Sequence, residues 1–149
     1  MFFKKRIIDP DAPKIGRIES FEFLKLHLSG MRLIMDIEIT QNGDESSICS
    51  YRYVFGQDGR ERELETSVSR PASEIIEVLN KCEVGKWSGF HGPHPPHVLD
   101  GTMFDLSGTV NGGVTLRADG SENFPPNYRE FTDFLFEKLR EAEKKEDNE

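Results

Sequence analysis

Three imidazoles recur at every third position in H-G-P-H-P-P-H, which places His91, His94 and His97 on one proline-stiffened stretch. Polyproline II geometry has three residues per turn and a rise of ~3.1 Å, so the rings project from one side at steps of roughly 9 Å. Two neighbours can share one ion. All three reach it only if the chain bends, because zinc–nitrogen bonds are only ~2.0 to 2.1 Å long. A divalent transition metal, nickel, zinc or copper, is what such a set would select, with Asp100 as a carboxylate ligand. The chemistry would then be metal binding or metal-assisted hydrolysis. The simpler alternative is a solvated loop whose histidines bind nothing.

A second constellation surrounds the first. Trp87, the only tryptophan, and Phe90 frame W-S-G-F, while Tyr128 follows the proline pair of N-F-P-P-N-Y. Ligand pockets are mostly apolar with a few convergent polar groups. Trp87, Phe90 and Tyr128 could line such a pocket, with Asp100 and Glu122 as its polar members. The competing reading has these rings capping the open end of the core.

Nucleophilic catalysis finds no support. There is no G-x-S-x-G elbow, no H-E-x-x-H pair, no phosphate-binding G-x-x-x-x-G-K-[ST] loop and no G-x-G-x-x-G after a strand. Binding is therefore preferred over catalysis.

The elements that must position these residues are read from periodicity. Residues 1–16, with Pro10 and Pro13, read as a loosely attached arm whose Phe2, Phe3, Ile7 and Ile8 could pack locally. A strand from about residue 18 to Leu28 changes parity near Phe23, which predicts a bulge. Ser29-Gly30 predicts a two-residue hairpin turn. Met31, Leu33, Met35, Ile37 and Ile39 then alternate with Arg32, Asp36 and Glu38. Cys49, Tyr51, Tyr53 and Phe55 share one face of the third strand, and Asp58-Gly59 predicts a type I′ turn into the fourth. There Arg62, Leu64, Thr66 and Val68 share a face, opposite a row of Glu61, Glu63 and Glu65 that suits an exposed edge. Pro71 opens a helix with Ile75, Ile76, Leu79 and Cys82 on its buried stripe, and Gly85 is placed to end it. Residues 85–101 read as a loop long enough to be functional. A hairpin through Asn111-Gly112-Gly113 follows, and then a last helix capped by Asn127 with Glu130 and buried through Phe131, Leu135 and Leu139. The order is four strands, helix, long loop, two strands, helix. It predicts an α+β fold with a single antiparallel sheet of about six strands and both helices on one face.

One domain over 17–140 is expected, followed by an acidic, disordered tail over 141–149. The net charge of −8 opposes binding to nucleic acid or to anionic membrane surfaces, and favours a basic protein partner. Cys49 and Cys82 form no staple framework and read as buried thiols of a reducing compartment. With no secretory signal and no apolar window near the ~20 residues of a span, a cytoplasmic location is expected.

Trp87-Ser88-Gly89-Phe90, the run Leu99-Asp100-Gly101-Thr102-Met103-Phe104-Asp105-Leu106, and the run from Gly120 to Tyr128 carry a resemblance. Together they resemble an uncharacterised group of small bacterial proteins and domains. Its pattern is W-x-G-F, then L-D-G-T-x-W-x-L, then G-S-N-A-[YF]-P-x-N-[YF] before the last helix. Phe104 replaces the tryptophan of that pattern, Glu122-Asn123 replace Asn-Ala, and the histidine-proline run is not part of it. The resemblance covers roughly the last 60 residues. It implies that residues 87–128 form one coherent unit, and it names no activity. The reading is a non-enzymatic binding or interaction domain with its contact surface at the 87–100 loop and the 120–128 turn. The alternative is a metal-binding protein or metal-assisted hydrolase built on His91, His94 and His97.

Overall fold

The computed structural model describes residues 5–31, 33–56 and 59–147, without the side chains of 146 and 147. Phe2, Phe3, Arg32, Asp58 and the last two residues of the tail lie outside the described residues. The strands are β1 (Ile7–Ile8), β2 (Phe21–Ser29), β3 (Ile34–Asn42), β4 (Glu45–Gly56), β5 (Gly59–Pro71), β6 (Phe90–Gly92), β7 (Met103–Val110) and β8 (Val114–Ser121). Helices α1 (Ala72–Lys81) and α2 (Tyr128–Asp147) and a 3-10 turn at Val84–Trp87 complete the chain. All eight strands form one sheet in the order β1-β6-β8-β7-β2-β3-β4-β5.

The α+β class is as expected, but the sheet is neither six-stranded nor wholly antiparallel, because β6 runs parallel to β8. The two additional strands have two and three residues, too few to display a period of two. The arm expected to be loose supplies β1, its Asp9 N–H donates to the Gly89 carbonyl at 2.9 Å, and Ile15 joins the core. With β6 placed, the long loop shrinks to residues 93–102.

One face of the sheet is apolar. Leu26, Ile37, Ile48 and Leu106 share a single buried cluster with Ile75 and Leu79 of α1 and Phe131 and Leu135 of α2. Both helices thus cover that face, and no helix among the described residues is long and apolar enough to cross a membrane.

Two bulges decide which side chains reach the opposite, open face. The predicted irregularity in β2 lies between Phe21 and Phe23, and it leaves Phe21 buried with Leu24 while Phe23 turns outward. The second, in β5, leaves Glu65 without a partner between the Ser50–Thr66 and Tyr51–Leu64 pairs. Arg62 and Leu64 therefore do not share a face with Thr66 and Val68 as expected. Thr66 is buried against the helices, whereas Arg62 pairs with Tyr53 on the open side.

The β2–β3 turn is longer than Ser29-Gly30 suggests. Ser29 already pairs with Ile34, and Met31 and Leu33 lie in the turn, exposed, instead of in the buried set. Glu83, not Gly85, takes the left-handed conformation after α1, with φ of 54°. Gly85 serves close approach, since a Cβ there would stand 2.9 Å from the Ile15 carbonyl. Asn127 occupies the N-cap position of α2, where its carbonyl accepts from the Phe131 N–H at 3.1 Å, but its side chain does not make the expected capping bond with Glu130. Its side chain donates to the Cys82 carbonyl at 3.2 Å, so it ties the start of α2 to the end of α1. Helix α2 continues through the expected tail to Asp147, where Glu143 accepts a hydrogen bond from Thr66 at 2.9 Å and Lys138 pairs with Glu141 at 3.6 Å. Ion pairs at i, i+3 spacing such as this one support a helix that has little left to bury.

Candidate ligand-binding site

On the open face the pairing register lines up one residue from each strand. Reading across the sheet, Ile7 faces His91, His91 faces Asp119, Asp119 faces Asp105, Asp105 faces His27, His27 faces Asp36, Asp36 faces Tyr51 and Tyr51 faces Leu64. Strand neighbours are ~4.8 Å apart, so six titratable side chains form one continuous row. Over its β6-β8-β7-β2 portion lies a cleft of about 550 Å³, walled by His94 and Pro93 and floored by Met103 between the polar groups. That volume is in the range of small-molecule sites.

Topology builds the wall. Because β8 lies between β6 and β7, the 93–102 segment must step across the end of β8 to reach β7. Residues 122–123 clamp both ends of that segment. Thr102 N–H donates to Glu122 Oε1 at 2.7 Å, and Glu122 N–H donates to the Thr102 carbonyl at 2.9 Å. The wholly buried Asn123 amide donates to the carbonyls of Pro93 (3.2 Å) and Lys5 (2.5 Å).

The row is held by specific bonds. His27 Nδ1 donates to Asp36 at 2.5 Å, Tyr53 Oη donates to the same carboxylate at 2.7 Å and Arg62 at 2.9 Å, with Lys25 at 3.7 Å. Burial alone would raise the Asp36 carboxyl, but the hydrogen bonds from His27, Tyr53 and Arg62 and the charge of Lys25 outweigh it and hold it below the usual range. Arg62 also binds Glu38 and lies 3.9 Å over the Tyr51 ring. His27 stands edge-on to Tyr53. At the far end His91 Nδ1 is bonded to Asp119. His94 Nε2 lies 2.5 Å from the Val98 carbonyl, which can only accept, so in the neutral ring Nδ1 accepts from Ser121 Oγ at 2.7 Å. Asp105 has no side-chain partner among the described residues.

Comparison with known protein families, curated proteins and solved structures found no match.

Of the five residues expected to form the contact surface, Trp87, Phe90, Asp100, Glu122 and Tyr128, none lines this cleft. Trp87 and Tyr128 do meet, with ring centroids 6.0 Å apart, but Trp87 and Phe90 are buried and cannot present a surface. They belong to an aromatic cluster in which Phe104 packs on Phe90, Phe124 and Tyr128, while the Trp87 indole donates to the Pro126 carbonyl at 3.0 Å. Burial pushes the Tyr128 hydroxyl well above the ordinary tyrosine range. Asp100 is exposed on the loop, and Glu122 is a clamp.

His91 and His94 do border it, joined by His27, whereas His97 stands apart. Among the described residues no group of three His, Cys, Asp or Glu side chains gathers closely enough to hold a metal ion. Cys82 is buried, and burial raises its thiol, but Cys49 is only half-buried and lies 3.4 Å from Ser67.

His27, Asp105 and Asp119 are the site residues that sequence reasoning missed. Each sits at an outward position of an alternating strand, where polar residues are ordinary. The turn at Asn111-Gly112-Gly113 does imply that Asp105 faces Asp119, but nothing local joins that hairpin to β2.

Proposed function

We propose that this chain is a binding domain whose recognition site is the cleft between the 93–102 loop and the open face of β8, β7 and β2. The observation that carries this reading is the row His91–Asp119–Asp105–His27 beneath an open cleft of about 550 Å³. In this reading the loop contributes Pro93 and His94 to the site, and the start of the 120–128 segment contributes Gly120 and Ser121 beside the strand surface. A small organic ligand suits the volume better than a single metal ion, and among the described residues no three His, Cys, Asp or Glu side chains gather around one point.

A fragment screen on the full chain, followed by backbone and methyl NMR, tests this. Hits should move Met103, Asp105 and Ser121 together, and Ser121→Trp, which fills the cleft, should abolish the response without lowering the melting temperature. Hits that map elsewhere in the wild type, or persist in the variant, sink the proposal. Covalent labelling of Ser121 by an organophosphonate would instead favour acyl transfer, with His94 as base and the Val98 carbonyl orienting its ring.

A further inference from the structure

With its imidazoles neutral, the hydrogen-bond directions among the cleft's side chains turn acceptors into it. Asp36 is held ionised, so the His27 Nδ1 beside it carries the hydrogen, and the Asp119 carboxylate draws the hydrogen of His91 to Nδ1 in the same way. In the neutral rings Nε2 is then a bare acceptor, and neither Nε2 has a partner among the described residues. His94 spends its one hydrogen on Val98, which obliges the Ser121 hydroxyl to donate inward and turn its lone pairs outward. Asp105, between His27 and Asp119, adds a carboxylate without a partner. Four neighbouring groups thus present acceptors to one cavity whose apolar lining includes Pro93 and Met103, the latter half exposed on its floor.

We infer that the ligand is a small organic cation rich in N–H donors, a guanidinium or ammonium group on an apolar body, seated on Asp105 between the Nε2 atoms of His27 and His91. This rests on the cleft being the recognition site. Anions and neutral carbonyl compounds would meet like charge or unmatched acceptors, and buried unmatched acceptors are costly. The cationic head is confined to this row. One step along the strands, Lys25 and Arg117 line a smaller adjoining hollow of about 220 Å³ that shares His27 and Asp105. The net charge of −8 further favours a cation on approach.

The test is titration of the full chain with butylguanidinium and butylammonium, against pentanamide and butyrate as neutral and anionic controls. Histidine ring nitrogens and the Met103 methyl are followed by NMR. The cations should shift Nε2 of His27 and His91 and the Met103 methyl saturably. Asp105→Asn, at an exposed position, should leave the melting temperature unchanged and weaken binding by about tenfold or more. Cleft signals that respond only to butyrate or pentanamide would overturn the cation and keep the cleft. Silence towards all four probes, together with a fragment screen that maps nothing there, would overturn both. Stoichiometric uptake of zinc or nickel through the two Nε2 atoms would overturn the organic cation in favour of a metal.

Discussion

At Asp36 a carboxylate with no exposed surface accepts from His27, Tyr53 and Arg62, although it lies on the face that the helices leave uncovered. Its partners are the cover. Asp36→Asn keeps the shape but removes the charge, and should cost about 2 to 4 kcal/mol in chemical denaturation, since breaking a buried ion pair from one side strands the other. The pH dependence follows from the direction of the shift. The folded-state pKa lies below the ordinary value, so the unfolded chain binds more protons and stability falls as pH drops from about 4 through the folded value. In Asp36→Asn that part of the acid limb should flatten; an unchanged acid limb would contradict the assignment. Little of this was legible beforehand. A two-residue turn at Ser29-Gly30 would set Leu28 against Met31 and carry His27 opposite Arg32, whereas the longer turn brings it to Asp36. One misread turn hides the whole cluster.

At the scale of elements, the aromatic unit after α1 positions both the last helix and the loop that walls the cleft. The Trp87 ring packs edge-on to Phe131 with centroids 5.7 Å apart, and its indole N–H holds the Pro126 carbonyl. Trp87→Ala should therefore destabilise by about 3 to 5 kcal/mol, as for a large buried aromatic, and Trp87→Phe by about 1 kcal/mol for the lost hydrogen bond, both read from urea titrations. Equal losses for the two would mean that the hydrogen bond, not the ring, carries the effect. Here the sequence was informative, because the only tryptophan, the proline pair and Tyr128 mark a meeting of chain segments. Burial could not be read from them. Whether an aromatic cluster faces a ligand or the core depends on which element lies on top of it, and here that element is α2.

For the whole molecule, the sheet ends in one long edge, β5, and one of two residues, β1. Glu61 and Glu63 stand exposed on the long edge, where unpaired backbone groups would otherwise recruit another strand. Glu61→Thr with Glu63→Thr should raise the weight-average mass in sedimentation velocity while shifting stability by no more than about 0.5 kcal/mol. A mass equal to that of the wild type at high concentration would refute the protective role. That edge, the α+β class, the hairpin through Asn111-Gly112-Gly113 and the buried stripes of both helices were determined by the sequence alone. They depend on period, turn chemistry and neighbours a few residues away. The tertiary structure alone decided that β7 lies against β2 and β6 against β8, and so that His27, Asp105, Asp119 and His91 stand in one row. Strand order is chosen by the packing of the whole core, between segments with tens of residues between them. No local pattern encodes it.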